Sequence, residues 1–449
     1  GHGKKGAKDY PDAKRVRVAL EGLAPGDKCP ACETSPVYGL KPAEVLRIFG
    51  QPPLVAVVLE LARVRCSGCQ EVITAKLPAE AGTDRYHPSA KSMIALLNYA
   101  AGQPFNRSQV LQGWLGVPAP RSTQIDQVES ALGAVHPVYE ALKRRAAELP
   151  LFGHDDTKAR VRELSSEIAR EAEEASSAGK KRELRTGVQT TGVVAKDEAI
   201  GRTIRLFFTG RKHAGENLGS LLSSRAPELA PPIKMADALG ANGSGVGRET
   251  QNAACMDHAR RKFKEIEAVF PQEAAHAIAE LALVYKADNE AKEQGLSPEA
   301  RLAHHQRNSA PVLDRLRFWL QAKIEAREIE PNSALGAAAK YFENHWEKLT
   351  LFLRTPGVPL SNAECERLLK TAVVRRKNSL FYMTEFGAAM GDAFMSVIQT
   401  AVACGANPFK YLTELQLNQA LVKAAPERWL AWNCELQLAA ADPSPTSAV

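Results

Sequence analysis

The chain has 449 residues, of which 45% are hydrophobic and 24% charged. At roughly 150 residues per domain that length suggests about three domains, and the balance excludes a wholly disordered chain. The longest apolar run, around Pro53 to Ala62, is interrupted by Glu60 and is too short to cross a bilayer, so no membrane association is expected. Lys and Arg total 58 against 51 Asp and Glu, a net charge of +7 that leans toward an anionic partner such as nucleic acid.

Residues 1–25 read as a basic arm with no periodic apolar pattern. No secretory pattern follows Gly1, so a cytoplasmic, nucleoid-associated location is expected. Over residues 26–80 two pairs, Cys29-x-x-Cys32 and Cys66-x-x-Cys69, flank the β-branched run Leu54–Leu59, which predicts a strand. Two such turns can set four thiolates about one tetrahedral ion. Cys29, Cys32, Cys66 and Cys69 are therefore candidate ligands of a structural Zn2+, with no position left open for catalysis. The other cysteines, Cys255, Cys365, Cys404 and Cys434, are scattered, which excludes a disulfide scaffold.

The pattern turns helical over 85–148. Pro104 and the Val117–Pro120 stretch break it, and Arg107–Leu115 followed by Ser122–Leu132 resembles a helix-turn-helix, with Ser122 or Thr123 as the cap of the second helix. Arg107 and Arg121 are then candidate DNA contacts. From 149 to 257 the spacing predicts an α/β domain. Strands are expected at Leu151–Val161, Gly187–Ala195, Arg202–Thr209 and Ile233–Asp237, with a mixed-charge helical insertion over 162–185 and a helix at Ala214–Arg225. Gly240–Gly247 reads as a flexible loop and not a nucleotide cradle, because no Lys-Ser/Thr follows it. Residues 258–350 are helical by periodicity, 351–415 form a further helical block, and 416–449 read as a tail that is loose after Ala439.

Three carboxylates stand out. Asp155 lies in the middle of a strand, Asp237 at the end of another, and Glu366 on a helix. Phosphoryl transfer by two Mg2+ (or Mn2+) ions needs carboxylates converging on both metals. Glu364 is a rival third acid; two residues from Glu366 on a helix, it points about 200° away, so only one of the two can face the metals. His154 falls on the opposite face of its strand from Asp155. Arg367, Lys370, Arg375, Arg376 and Lys377 follow Glu366 closely and are candidates to neutralise DNA phosphates. His258, Arg260 and Arg261 open a helix where positive groups can meet a phosphate. Cys255-x-x-His258 lacks a second pair, so a buried Cys and a packed or phosphate-facing His are expected there.

Several stretches, in order, resemble the DDE transposases of the bacterial insertion sequence 66 family. Gly1-His2-Gly3-Lys4-Lys5 resembles its Gly-His-Gly-Arg-Lys segment, and Asp155-Asp156-Thr157 its Asp-Glu-Thr. Asp237 stands where the family has its second aspartate. Cys255–Phe263 is close to Cys-Trp-Ala-His-Ala-Arg-Arg-Lys-Phe, Ser361–Arg367 resembles Asp-Asn-Asn-x-x-Glu-Arg, and Arg376–Phe381 resembles Arg-Lys-Asn-x-Leu-Phe. Ser361, Ala363, Asp156, Met256 and Asp257 depart from the family pattern.

The resemblance implies a ribonuclease-H-like catalytic core interrupted by a helical insertion, beside an N-terminal zinc module and a helical DNA-binding region. It implies Asp155, Asp237 and Glu366 as the metal-binding triad. The activity implied is cleavage at the ends of a mobile element and transfer of the 3′-end into target DNA. The partners implied are double-stranded DNA, both terminal repeats and target, in a homodimer or larger synaptic complex, with helper proteins left open. A decayed zinc-containing DNA-binding protein, or a nuclease that cuts without integrating, are the alternatives.

Overall fold

The computed structural model describes residues 22–41, 52–78, 84–177, 185–237 and 249–433, with isolated positions 15, 16, 18, 43, 45, 47, 48 and 247. Most of the basic arm, the first motif at Gly1–Lys5, most of the Gly240–Gly247 loop, and the chain from Cys434 onward lie outside these residues. Two compact units are present, Gly1–Pro53 and Leu54–Val449.

In the first unit the Cys29–Cys32 turn is closed by the Glu33 N–H donating to the Cys29 carbonyl (2.7 Å), with Glu33 in the left-handed region. The second unit opens with a small antiparallel hairpin, β1 (Arg63–Arg65) and β2 (Val72–Thr74), whose turn carries the second cysteine pair. Here the Gln70 N–H donates to the Cys66 carbonyl (3.0 Å), and Gln70 is again left-handed. The strand expected at Leu54–Leu59 does not form. Val55, Val57 and Val58 are exposed, and only Leu54 is buried. A β-branched run gains from extension only when a neighbouring strand or core receives it.

Three helices follow, α1 (Pro88–Tyr99), α2 (Phe105–Trp114) and α3 (Arg121–Glu148). Gln124 fixes the turn between α2 and α3, its amide donating to the carbonyls of Ala119 (2.7 Å) and Phe105 (3.2 Å). Helix α3 starts at Arg121 behind Pro120, so Ser122 and Thr123 sit inside the first turn rather than capping it.

A five-stranded sheet comes next. Its strands are β3 (Leu151–Lys158), β4 (Gln189–Asp197), β5 (Arg202–Gly210), β6 (Ile233–Ala236) and β7 (Gln251–Ala254), with α4 (Arg162–Ser177) between β3 and β4 and α5 (Ala214–Leu222) between β5 and β6. The spatial order is β5-β4-β3-β6-β7. Strand β4 is antiparallel to both of its neighbours, β5 and β3, and β6 and β7 run parallel to β3. Strand β7 was not expected, since Gln-Asn-Ala-Ala carries no β-branched or aromatic residue; its parallel pairing with β6 makes it a strand.

The chain then runs through α6 (Met256–Glu265), α7 (Pro271–Glu293), α8 (Pro298–Asn308), α9 (Ala310–Glu325), α10 (Ala334–Asn344) and α11 (Trp346–Leu349). It ends with α12 (Ala363–Ser379), α13 (Glu385–Ala403), α14 (Pro408–Leu417) and α15 (Gln419–Ala424). Helices α6, α7 and α9 to α11 build one core with β6 and β7, through Met235, Phe263, Leu281, Leu316 and Phe342. Helices α1, α3 and α13 to α15 build the other with β3 to β5, through Tyr99, Val135, Phe152, Phe207, Phe394 and Leu412. The helices expected as a separate region over 85–148 thus share the sheet's core. So does the expected tail as far as Ala431, with Trp429 and Leu430 buried in it.

Helix α13 covers the edge of the sheet. Edge strand β5 points the N–H groups of Arg205, Phe207 and Thr209 outward, and they donate to Thr400 Oγ1 (3.0 Å), Ser396 Oγ (2.9 Å) and Asp392 Oδ2 (2.6 Å). A spacing of two along the strand meets a spacing of four along the helix, so one polar stripe closes an edge that would otherwise be open. Among the described residues α13 is also the one helix apolar and long enough to cross a membrane, and 67% of that window is buried inside the protein.

Helix α12 lies close over β3 and β4. A Cβ at Gly153 would stand 2.7 Å from Asn362 Oδ1, and one at Gly192 would stand 2.9 Å from Leu369 Cδ2. Cys365 Sγ donates to the Gly192 carbonyl (3.2 Å). Gly153→Ala is therefore expected to cost about 1–3 kcal/mol in urea unfolding. Gly210→Ala, where nothing lies within 4 Å of the new Cβ, should stay within ~0.5 kcal/mol of the wild type. Equal costs at the two positions would refute the tight seating of α12.

Candidate active site

Asp155 sits on β3 opposite Gly192, on the face that α12 covers. Burial pushes its carboxyl up to about 6. The Asp156 N–H donates to Asp155 Oδ1 (2.8 Å) and opposes that shift, while the negative charges of Asp237, Asp156 and Glu366 add to it. Asp237 directly follows β6, and β6 is parallel to β3 with Gly153 opposite Met235. Carrying that register on by two residues sets Asp237 beside Asp155, at the ~4.8 Å spacing of neighbouring strands. Asp155 on its strand thus feels the charge of an acid at a neighbouring strand end and of another on a helix.

Glu366 reaches this cluster from the first turn of α12. Its Oε1 lies 3.9 Å from His258 Nδ1 on α6, and both atoms are buried without a hydrogen-bond partner. Cys255, His258 and Glu366 are the one group of metal-capable side chains among the described residues whose ligand atoms all lie within 4.8 Å of one another. Burial pushes the Cys255 thiol up to about 11, and its Sγ already accepts the Asn362 N–H (3.2 Å).

Glu364 faces elsewhere. It pairs with Lys196 on β4 and with Arg205 on β5 (3.2 Å). Burial works against its charge, but these two cations hold its carboxyl below the ordinary range. Asp156 is likewise engaged, accepting from Thr191 Oγ1 (2.6 Å) and the Ala214 N–H (2.8 Å) at the start of α5. Asn362 was not anticipated as a site residue. Its Nδ2 donates to the His154 carbonyl (3.0 Å), and its backbone N–H to Cys255 Sγ (3.2 Å), so one buried residue ties β3, α6 and α12 together. The signal for it was its place in the Ser361–Arg367 motif.

The basic residues divide. Arg367, Lys370 and Lys377 on α12, Arg260 and Arg261 on α6, and Arg107 and Arg121 on α2 and α3 are exposed. Arg376 is half-buried and donates to Thr157 Oγ1 (3.1 Å) and the Lys158 carbonyl, bracing α12 against the end of β3. Arg375 corrects the expectation of a phosphate contact, because it is buried with its guanidinium 3.7 Å from the Tyr382 ring centroid and 5.4 Å from that of Tyr99. His258 takes the packed one of its two expected settings, turned toward Glu366. A cavity of about 550 Å3 is lined by Arg260 on α6 and by Tyr285, Lys286, Glu290 and Glu293 on α7, and is separate from the three acids.

Because the folded state lifts Asp155 to about 6, the protonated form carries no penalty at low pH. The stability present below the unfolded value of about 3.9 is lost as pH rises through 6, where the buried group must charge. With divalent ions chelated, Asp155→Asn should therefore raise stability at pH 8 by about 2–3 kcal/mol, and leave it little changed at pH 4. Identical unfolding midpoints of variant and wild type at pH 8 would remove this electrostatic account.

A profile described as Transposase IS66 family matches residues 84–390. An uncharacterized protein of Sinorhizobium fredii, y4hP, is 24% identical over 433 residues, covering 91% of this chain and 73% of its own length. A second from the same organism, y4jD, is 32% identical over 165 residues, which is 36% of this chain and 31% of the relative. The profile spans the whole five-stranded sheet, all three acids and α12, well over half of the chain, and the protein belongs to the transposase IS66 family.

Proposed function

We propose that this protein is a metal-dependent DNA transposase that cuts at the ends of an insertion sequence and joins the 3′-end to target DNA. The catalytic core is read as ribonuclease-H-like, a reading supported by the β5-β4-β3-β6-β7 order with only β4 antiparallel to its central neighbour β3. The observation that carries the function is the upward push on Asp155 from burial and from the charges of Asp237 and Glu366. Burying like charges together is costly unless a cation joins them, and hard oxygen donors suit Mg2+ or Mn2+.

Asp155, Asp237 and Glu366 would hold the metal ions, while Glu364, neutralised by Lys196 and Arg205, keeps its charge away from them. When bound, two such ions lower the pKa of the attacking water or 3′-hydroxyl and neutralise charge on the phosphorus. Arg367 and Lys370, exposed on the helix that carries Glu366, and Arg260 and Arg261 on α6 would bind the phosphates on either side of the cut. Arg107 in the first turn of α2 and Arg121 at the start of α3 would contact the terminal repeats, and synapsis of two ends calls for a dimer or larger assembly.

The paired cysteines are proposed to hold structural Zn2+. Support comes from the shared form of the two knuckles, each closed by the N–H four residues after its first cysteine. The Thr34 hydroxyl and backbone N–H groups hold the Cys32 thiol down at about 6, and N–H groups of Cys69 and Gly68 lower Cys66, which favours the thiolates a zinc ion needs.

Cleavage of a supercoiled plasmid bearing the element's ends, in Mg2+ or Mn2+, tests the central reading. Asp155→Asn, Asp237→Asn and Glu366→Gln should each lose at least ~100-fold in activity with DNA binding retained, whereas Glu364→Gln should keep more activity than Glu366→Gln. Wild-type activity in the Asp155 and Glu366 variants would sink the triad. Cleavage without joined product would leave a nuclease that does not integrate. In binding titrations Arg367→Ala and Lys370→Ala should each reduce the salt slope by about 1. Zinc content by mass spectrometry should be about one ion per chain and fall in both Cys29→Ser and Cys66→Ser; an unchanged content in either would overturn the zinc reading.

A further inference from the structure

We infer that His258 is itself a ligand of the divalent ion held by Glu366, so that the metal centre is a mixed nitrogen–oxygen site rather than an all-carboxylate one. This inference rests on the reading of Asp155, Asp237 and Glu366 as metal-binding acids.

His258 Nδ1 and Glu366 Oε1 are both closed off from solvent, and neither has a hydrogen-bond partner. They face each other at 3.9 Å. That separation is too long for a hydrogen bond between them, which needs about 2.7–3.2 Å. It is within the span of one ion bonded to both, since metal–nitrogen and metal–oxygen bonds are each about 2.0–2.2 Å. A buried donor or acceptor without a partner is rare, and an ion is one of the few things that satisfies an imidazole nitrogen and a carboxylate oxygen together.

The fold holds the two side chains at this distance by design of the backbone rather than by a direct bond. The Met256 N–H donates to the Leu360 carbonyl (3.1 Å) and the Asn362 N–H to Cys255 Sγ (3.2 Å), pinning the start of α6 to the start of α12. His258 lies two residues after the first of these contacts and Glu366 lies one helical turn after Asn362. Cys255, the third member of the cluster, has its sulfur engaged by Asn362 and serves to fix this junction.

A nitrogen ligand shifts selectivity. Mg2+ prefers oxygen donors throughout, while imidazole suits the first-row transition ions, of which Mn2+ is the weakest binder and the nearest to Mg2+ in its taste for oxygen. His258 should therefore strengthen Mn2+ binding more than Mg2+ binding.

The test is electron spin echo modulation of Mn2+ bound to the full chain. Directly coordinated imidazole should give 14N modulation in the wild type, replaced by 15N modulation after 15N-histidine labelling, and lost in His258→Gln. Mn2+ affinity should fall about tenfold in His258→Gln, with a smaller loss for Mg2+. Mn2+ that is bound in an Asp155-dependent way but shows no nitrogen modulation would overturn the role of His258 and leave the acids standing. Modulation that persists in His258→Gln would overturn it equally. Mn2+ binding indifferent to Asp155→Asn would instead bring down the acid centre on which the inference rests. Where His258→Gln does not fold, a wild type that binds Mn2+ without nitrogen modulation still overturns the role of His258, and His258→Asn serves as the second variant in which the modulation should be lost.

Discussion

The seating of helix α12 on strands β3 and β4 is the constraint from which the rest of the site follows. Gly153 and Gly192 leave the sheet bare where Asn362 and Leu369 press on it, at distances that a methyl group would violate. The helix brings Glu366 near enough to Asp155 for its charge to help push that carboxyl up. It also turns Glu364 toward Lys196 and Arg205. Two acids two residues apart thereby reach opposite environments: one carboxylate is neutralised by cations, the other is left among acids. Asn362 completes the arrangement from the interior, joining the β3 backbone to the start of α6.

Around this junction the protein buries its sheet from two sides with two different helical layers. The layer of α1, α3 and α13 to α15 covers β3 to β5, and the layer of α6, α7 and α9 to α11 is anchored on β6 and β7. The acids lie where the layers meet, since β3 borders β6 and α12 borders α6. Polar residues deep in α13 follow from the same economy: Asp392, Ser396 and Thr400 supply the acceptors that an edge strand lacks. Burial pushes the Asp392 carboxyl up to about 7, against the hydrogen bonds from Thr209 that favour its charge.

Much of this was legible in the sequence because the signals were local. Strands β3 to β6 and the helix after β5 announced themselves by alternation and periodicity, and the paired cysteines by their spacing. Asp155, Asp237 and Glu366 stood out through motif order. The family to which the chain belongs followed from Cys255–Phe263, Ser361–Arg367 and Arg376–Phe381, short motifs whose residue types leave few alternatives.

What failed was whatever depended on a partner distant in the chain. The run Leu54–Leu59 has strand composition and no strand to pair with, while Gln251–Ala254 has poor composition and is a strand because β6 lies beside it. Arg375 looks like its basic neighbours on α12 but falls on the buried side, over two tyrosine rings supplied by α1 and by the segment after α12. His258 at a helix start was open to either setting, packed or facing a phosphate, and only the junction of α6 with α12 turns it toward Glu366. By itself the sequence determined the family and most of the helices and strands, since propensity, periodicity and motif spacing act over a few residues. The tertiary structure alone decided which charges face each other and which are buried, because electrostatics and burial depend on distance in space and not on separation along the chain.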